Sequence, residues 1–286
     1  MAKISNLPIQ ISGRVGDIVY YRRNGKVYMR QRPRPTMPGH SEASMRFLTS
    51  MANTAHLWRA FPRYWRPVFN GRRSELTNYN AFVGANYHTT HIYLSRPMAR
   101  DGAAVVTPVA VSHGVLPTIG ITLADGVAIT NIALGPLVPT PSTTVGRLAS
   151  EIIGRNKGYQ PGDTLLFVLL LQQLDSFDQR PFCTSLVARL PLAPASSMPL
   201  GRMVYDSIGF AAHEGRLASS ALPLGGMTWV HTRPRPGGEE EQVSTQSLVT
   251  NNAEMIAHYS SDEAFRLAAD SYGGIRPAQY ITPGND

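Results

Sequence analysis

The sequence predicts an α+β protein, mostly β. A basic N-terminal arm, a β-hairpin and helices precede an antiparallel β-sandwich or barrel-like domain. Three observations predict this. Asn24-Gly25 stands between two β-prone runs, the strongest short-range hairpin signal, because both central residues of a type I′ turn need φ > 0. Apolar residues recur at helical spacing between Met45 and Trp58. Beyond about residue 103, short β-prone runs alternate with turn signals, the texture of a sandwich or barrel. The 25 Gly and 22 Pro among 286 residues point the same way, since they favour turns over long helices. The predicted division places the basic arm, hairpin and helices in residues 1–100 and the β-rich domain, with a short C-terminal helix, in 101–286.

Gly13-Arg14-Val15-Gly16 reads as a flexible lead-in to the hairpin. Asp17–Arg23 and Lys26–Arg30 are its strands, with Tyr20, Arg22, Tyr28 and Arg30 forming alternating stripes. Arg32-Pro33-Arg34-Pro35 and the following Pro38 fit neither ladder nor helix, so this link is expected to run as polyproline II. Ser41 is a candidate N-cap for a helix over 42–61, where Met45, Leu48, Met51, Ala52, Ala55 and Trp58 would form the apolar stripe and Pro62 the stop. A shorter helix is expected over 74–85, with an extended link after it.

In the second half, strands are expected at 104–112, 115–123, 127–134, 164–174, 183–190, 203–211, 227–232 and 243–249. Leu165–Leu171 is continuously apolar rather than alternating, which predicts a central strand covered on both faces. Ser260-Ser261-Asp262-Glu263 is a capping-box pattern that opens a helix over Ala264–Ser271.

Charge is distributed unevenly. Residues 1–100 hold 14 Arg and 2 Lys against 3 acidic residues, a balance of +13, whereas the remainder holds 11 basic and 16 acidic residues, a balance of −5. A positive end of this kind seeks phosphate or an acidic protein surface. Within it, aromatic and basic residues interleave: Tyr20, Tyr28, Trp58 and Trp65 lie among Arg22, Arg23, Arg30, Arg32, Arg34, Arg63, Arg66, Arg72 and Arg73. Arginine on phosphate and aromatic rings on bases are the means by which single strands are held, and the same residues dominate protein interfaces. These thirteen are the candidate partner- or nucleic-acid-binding residues.

Catalytic chemistry finds little purchase. There is no Gly-X-Ser-X-Gly elbow, no phosphate-binding loop and no His-Glu-X-X-His. His88 and His91 stand three apart in an extended context, where they would face opposite sides. Asp175 and Asp178 read as a solvated loop. The single Cys183 excludes an intrachain disulfide and a cysteine-based zinc site, and reads as a buried strand residue. No cofactor, metal or small-molecule substrate is expected. The N-terminus lacks a signal-peptide pattern, and Leu165–Leu171 is too short to span a bilayer, so cytoplasmic synthesis without membrane insertion is expected.

The stretch Gly13–Arg30, the helical run Ser41–Phe61 and Tyr79-Asn80-Ala81-Phe82 together resemble the opening of an uncharacterised family of Bacteroidota proteins known only by a domain-of-unknown-function label. The likeness covers residues 13–82, with the β-rich remainder similar only in texture. The proline-rich link departs from the family, which has a more polar turn there. The resemblance implies a bacterial or phage origin and a non-enzymatic role, and carries no activity.

Two functional readings follow. In the first, the chain is a structural or assembly protein whose basic aromatic N-terminal region docks onto neighbouring subunits or an acidic partner, giving a homo-oligomer or larger assembly. In the alternative, the same region binds nucleic acid.

Overall fold

The structure is a computed structural model that describes residues 2–4, 13–23, 26–32, 42–73, 75–87, 101–124, 126–174, 181–201, 209–221, 225–235, 237 and 240–251. The fold is α+β and mostly β, with several antiparallel sheets. The chain forms two compact units, Met1–Gly39 and His40–Asp286.

The N-terminal unit is one four-stranded antiparallel sheet. Its strands are β1 (Ala2–Ile4), β2 (Gly13–Val15), β3 (Ile18–Arg23) and β4 (Lys26–Gln31), in the order β1-β4-β3-β2. Arg23 pairs with Lys26, which leaves two residues to turn the chain, as the Asn-Gly pair predicts. Asn24 and Gly25 themselves, Arg34 and the proline-rich link lie outside the described residues.

In the second unit, α1 (Glu42–Ala60) ends two residues before Pro62, close to the expected bounds. The unit boundary at Gly39 differs from the expected one near residue 100. The reason is packing. Leu57, Phe61, Trp65 and Phe82 share a core with Val106, Val111, Leu166 and Val168, so the helices belong to the β-rich body. The buried face of α1 also differs from the expected stripe: Ser50, Asn53, Thr54 and Leu57 are buried, while Leu48 is about half exposed. After β5 (Val68–Phe69) comes α2 (Asn78–Asn86), which starts later than expected because the Thr77 side chain caps it by accepting from the Asn80 N–H at 3.2 Å.

The body continues with β6 (Ala110–His113), β7 (Ile121–Ala124), β8 (Val127–Ala133), α3 (Val145–Arg155), β9 (Thr164–Leu174), β10 (Pro181–Pro191), β11 (Ala211–His213), β12 (Arg216–Ala221), β13 (Gly225–Arg233), β14 (Gln242–Val243), β15 (Gln246–Ser247) and β16 (Val249–Asn251). The central sheet has the order β10-β9-β13-β14, with β16 also on β13; a second has the order β11-β12-β8-β7. A small third sheet, β15-β6-β5, contains a parallel pairing, β5 with β6. Glu214-Gly215 turns β11 into β12 with φ of 49° and 72°, the two-residue geometry that right-handed strand twist favours.

As the continuous apolar run predicts, β9 is covered on both sides. Leu165, Phe167 and Leu169 enter a core with Ile132, Leu217, Trp229 and α3, while Leu166, Val168 and Leu170 enter the core beneath α1 and α2. Each such side chain contributes roughly 1.5–3 kcal/mol through burial. The helix α3 has no counterpart in the sequence expectations. Thr144 caps it by accepting from the Arg147 N–H at 3.2 Å, and Val145, Leu148, Ala149 and Ile152 form its buried stripe.

Residues 103–107 are buried but outside any ladder, so the expected strand over 104–112 survives only as β6. Side-chain amides supply the missing partners. Asn53 donates to the Val105 carbonyl at 2.9 Å and accepts from its N–H at 2.8 Å. Gln172 accepts from the Val106 N–H at 2.7 Å and donates to the Ala104 carbonyl at 3.1 Å. Asn86 brackets Ala110 in the same two-way manner. The expected helix over 264–271 lies outside the described residues.

Candidate interaction surface

The N-terminal sheet separates two chemistries by strand register. Tyr21 pairs with Tyr28, Val19 with Arg30 and with Arg14, so these residues and Lys26 occupy one face. Tyr20 pairs with Met29 and with Gly13, and Ile18 with Val15 and with Gln31, so these residues and Val27 occupy the other. The first face is cationic and aromatic and also carries Arg23; the second is apolar apart from Gln31 at one end and Arg22 at the hairpin end. Tyr20 and Tyr28, expected to act together, lie on opposite faces. Arg22 and Arg23 stand in β3, opposite Val27 and Lys26 in register, and Arg32 follows β4 with its N–H bonded to the Asp17 carbonyl at 2.6 Å.

On the cationic face, the Tyr21 and Tyr28 rings stack with centroids 5.6 Å apart, and the Arg30 guanidinium lies 5.6 Å from the Tyr21 centroid. Arg14 and Lys26 are exposed, and no carboxylate pairs with Arg14, Lys26 or Arg30 among the described residues. On the apolar face, Val15 is 67 % and Ile18 39 % exposed. No residue of this unit whose side chain is described is buried.

The unit's charge is concentrated. Residues 1–39 hold 8 basic residues against Asp17, a balance of +7, and the remaining 19 basic and 18 acidic residues leave the second unit at +1. The acidic second half expected from the sequence is thus neutralised once residues 40–100, with eight arginines, are counted with it.

The other predicted residues lie in the second unit and divide by role. Trp65 is buried against Phe61 and is a core residue. Trp58 is half-buried, packed on Tyr79 and Phe82, with the Arg66 guanidinium 5.7 Å from its centroid. Arg66 also donates to the Trp58 carbonyl, near the C-terminal end of α1. Burial first, and then neighbouring Arg63, lower the Arg66 pKa. Arg63 is exposed beside the 62 % exposed Tyr64. Arg72 is committed internally: it bonds the Phe69 carbonyl at 2.9 Å and the Glu240 carboxylate at 2.5 Å. Burial pushes Glu240 up, but hydrogen bonds from Arg72 and Asn78 outweigh it and hold the carboxyl below its usual range. Arg73 is exposed.

One polar cluster escaped the sequence reading. Asp163, fully buried, accepts from His231 Nε2 at 2.7 Å, from Arg233 Nε at 2.7 Å and Nη2 at 2.8 Å, and from the Gln160 N–H at 3.0 Å. Tyr159 stacks on the His231 ring at 4.5 Å. An ionised carboxylate only accepts, so Nε2 carries the proton, and burial, which lowers the His231 pKa, favours the neutral imidazole. Nδ1 is then a buried acceptor with no hydrogen-bond partner. Burial lowers the His231 pKa against the pull of Asp163, and burial's upward push on Asp163 is overcome by Arg233 and His231, which lower it. No hydroxyl or thiol is hydrogen-bonded to the ring among the described residues, and the pair acts as a tie between β13 and the turn before β9. The sequence marks this place only by the Arg-Pro-Arg-Pro that begins at Arg233 and repeats the run beginning at Arg32.

Burial pushes the Cys183 thiol up to about 12, which leaves it unreactive at neutral pH. No group of metal-ligating side chains is present among the described residues, and His88, His91, Asp175 and Asp178 lie outside them. No helix among the described residues is long and apolar enough to cross a membrane. No protein-family model, curated protein or solved structure matches this chain.

Proposed function

We propose that this chain is a non-enzymatic assembly protein whose N-terminal sheet docks, by its apolar face, onto the same face of a second copy. The observation that carries this reading is a sheet whose second face, apolar between Arg22 and Gln31, is covered by nothing among the described residues of its own unit. A sheet gains stability by burying one face, and so short a segment cannot build its own core. The edge strands β1 and β2 are three residues each, too short to recruit a further strand effectively, which favours the face over the edge. Face-to-face packing sets two sheets roughly 10 Å apart and turns both cationic faces outward. The charged groups are then separated by more than the Debye length of about 8 Å at physiological salt.

Sedimentation velocity of the full chain tests the reading. The wild type is expected to assemble, and to remain assembled at about 0.5 M salt, beyond the range in which simple phosphate binding persists. Ile18→Asp and Val15→Asp, both at exposed positions, are expected to shift it to monomer without changing the melting of the body. A wild type that is monomeric at every salt concentration would overturn the reading.

A further inference from the structure

We propose that the opposite, cationic face of the N-terminal sheet binds single-stranded nucleic acid. The proposal goes beyond assembly and uses other residues, so either reading can fail alone. The face presents Arg14, Lys26 and Arg30 around the stacked Tyr21–Tyr28 pair. None of these cations has a carboxylate partner among the described residues, and Asp17 is the unit's one acidic residue. The counter-charge therefore comes from outside the unit.

A second copy supplies it poorly. The other unit carries only +1, and its Asp163, Glu151 and Glu240 are already paired with Arg233, Arg155 and Arg72. A +7 unit calls for a polyanion. The tyrosines narrow the class. An acidic polypeptide gains nothing specific from an aromatic platform, and a duplex hides its base faces. Unpaired bases expose a π-face that stacks on aromatic rings whatever the sequence, while flanking cations track the phosphates. Lys26, Tyr28 and Arg30 alternate with one residue between them along β4, which sets charge, ring and charge in one row. Half-buried Tyr28 keeps part of its ring accessible at the centre of that row.

Fluorescence anisotropy of labelled oligo(dT) and oligo(U), about 20 nucleotides long to exceed one site, tests this with the full nuclease-treated chain. Binding is expected at low salt, with a linear log–log salt dependence. The triple variant Arg14→Gln/Lys26→Gln/Arg30→Gln should lose at least tenfold in affinity, and its salt slope should shrink by about 2, because single strands lose roughly 0.7 per phosphate contact. Tyr28→Ala should weaken binding about tenfold or more through lost stacking while leaving the slope unchanged. Tyr28→Phe keeps the ring and should bind within about twofold of wild type. Ile18→Asp, on the other face, should bind like wild type per protomer. No binding at 50 mM salt, displacement by polyglutamate as effective as by unlabelled oligonucleotide, or equal loss in Tyr28→Phe and Tyr28→Ala would each overturn the proposal.

Discussion

Asp163 shows how one residue sets the acid behaviour of the body. Its folded pKa lies below the unfolded value, so its contribution is present above the ordinary carboxylate range and is lost as pH falls through the folded value. His231 acts in the same direction. Its folded pKa is also lowered, so the unfolded chain takes up its proton first, and stability falls as pH drops below about 6.5. Urea unfolding is therefore expected to show a stability that declines from neutral pH through the histidine range and again through the carboxylate range. Asp163→Asn should lose roughly 3 kcal/mol or more, because it leaves Arg233 without its counter-charge and His231 Nε2 with only a neutral acceptor, and should remove the decline through the carboxylate range while that through the histidine range persists. A profile unchanged by the substitution would show that the cluster is not the acid-sensitive element. Neighbouring arginines separate likewise: Arg72→Ala should cost about 1.5–3 kcal/mol, since a charged hydrogen bond to Glu240 is lost, whereas exposed Arg73→Ala should change stability by no more than about 0.5 kcal/mol. None of this difference is legible in the sequence, where Arg72 and Arg73 are adjacent and identical.

Elements were legible where periodicity and local backbone chemistry agree. Leu165–Leu171 announces a strand covered on both faces because nothing but burial explains seven apolar residues in a row. Asn24-Gly25 announces a two-residue turn because few other pairs accept it. The failures share a cause. The α1 helix buries Ser50, Asn53 and Thr54, a polar stripe that hydrophobic periodicity cannot reveal: Ser50 donates to the Tyr87 carbonyl, Thr54 to the Ser50 carbonyl within the helix, and Asn53 completes the backbone of a neighbouring segment. That segment, 103–107, has the composition of a strand but takes its partners from amides far away in sequence. Asn53→Ala should therefore be unusually costly for a polar substitution, on the order of 2–4 kcal/mol, because both the N–H and the carbonyl of buried Val105 lose their partner at about 1–3 kcal/mol each. Chemical denaturation checks this. A loss below about 0.5 kcal/mol would mean that water replaces the amide. The α3 stripe Val145, Leu148, Ala149 and Ile152, with Thr144 before it, carried a helical signal that the β texture around it obscured.

At the scale of the whole molecule, composition located the positive end but not its limit. Counting charge by halves places the excess in residues 1–100; counting it by compact units places +7 in the first 39 residues and leaves the remainder almost neutral. The difference of +6 comes from the eight arginines and two glutamates of residues 40–100, which belong to the second unit. Of the thirteen candidate residues, the structure keeps Tyr28 and Arg30 on one open face, sets Tyr20 on the other, and commits Trp65 and Arg72 to the body's own stability. No sequence pattern distinguishes these fates, because each depends on which strand or loop a residue opposes. Deleting residues 1–39 is expected to leave a body that melts as in the full chain, since its two cores contain no residue from that segment. Differential scanning calorimetry would show one transition unchanged in the truncated protein.

The hairpin also works as a reading frame. With two residues between Arg23 and Lys26, every odd position of β3 meets an even position of β4, which sets Tyr21 on Tyr28 and Tyr20 on Met29. One inserted residue at that point would pair Tyr21 with Val27 or Met29 instead of Tyr28, so each surface would become a mixture of oil and charge. Such a frameshifted sheet would keep its composition, its net charge and its strand content, yet present neither a surface fit to meet its twin nor one fit to hold an anion. Both proposed partners would thus be lost together through a change that touches no contact residue.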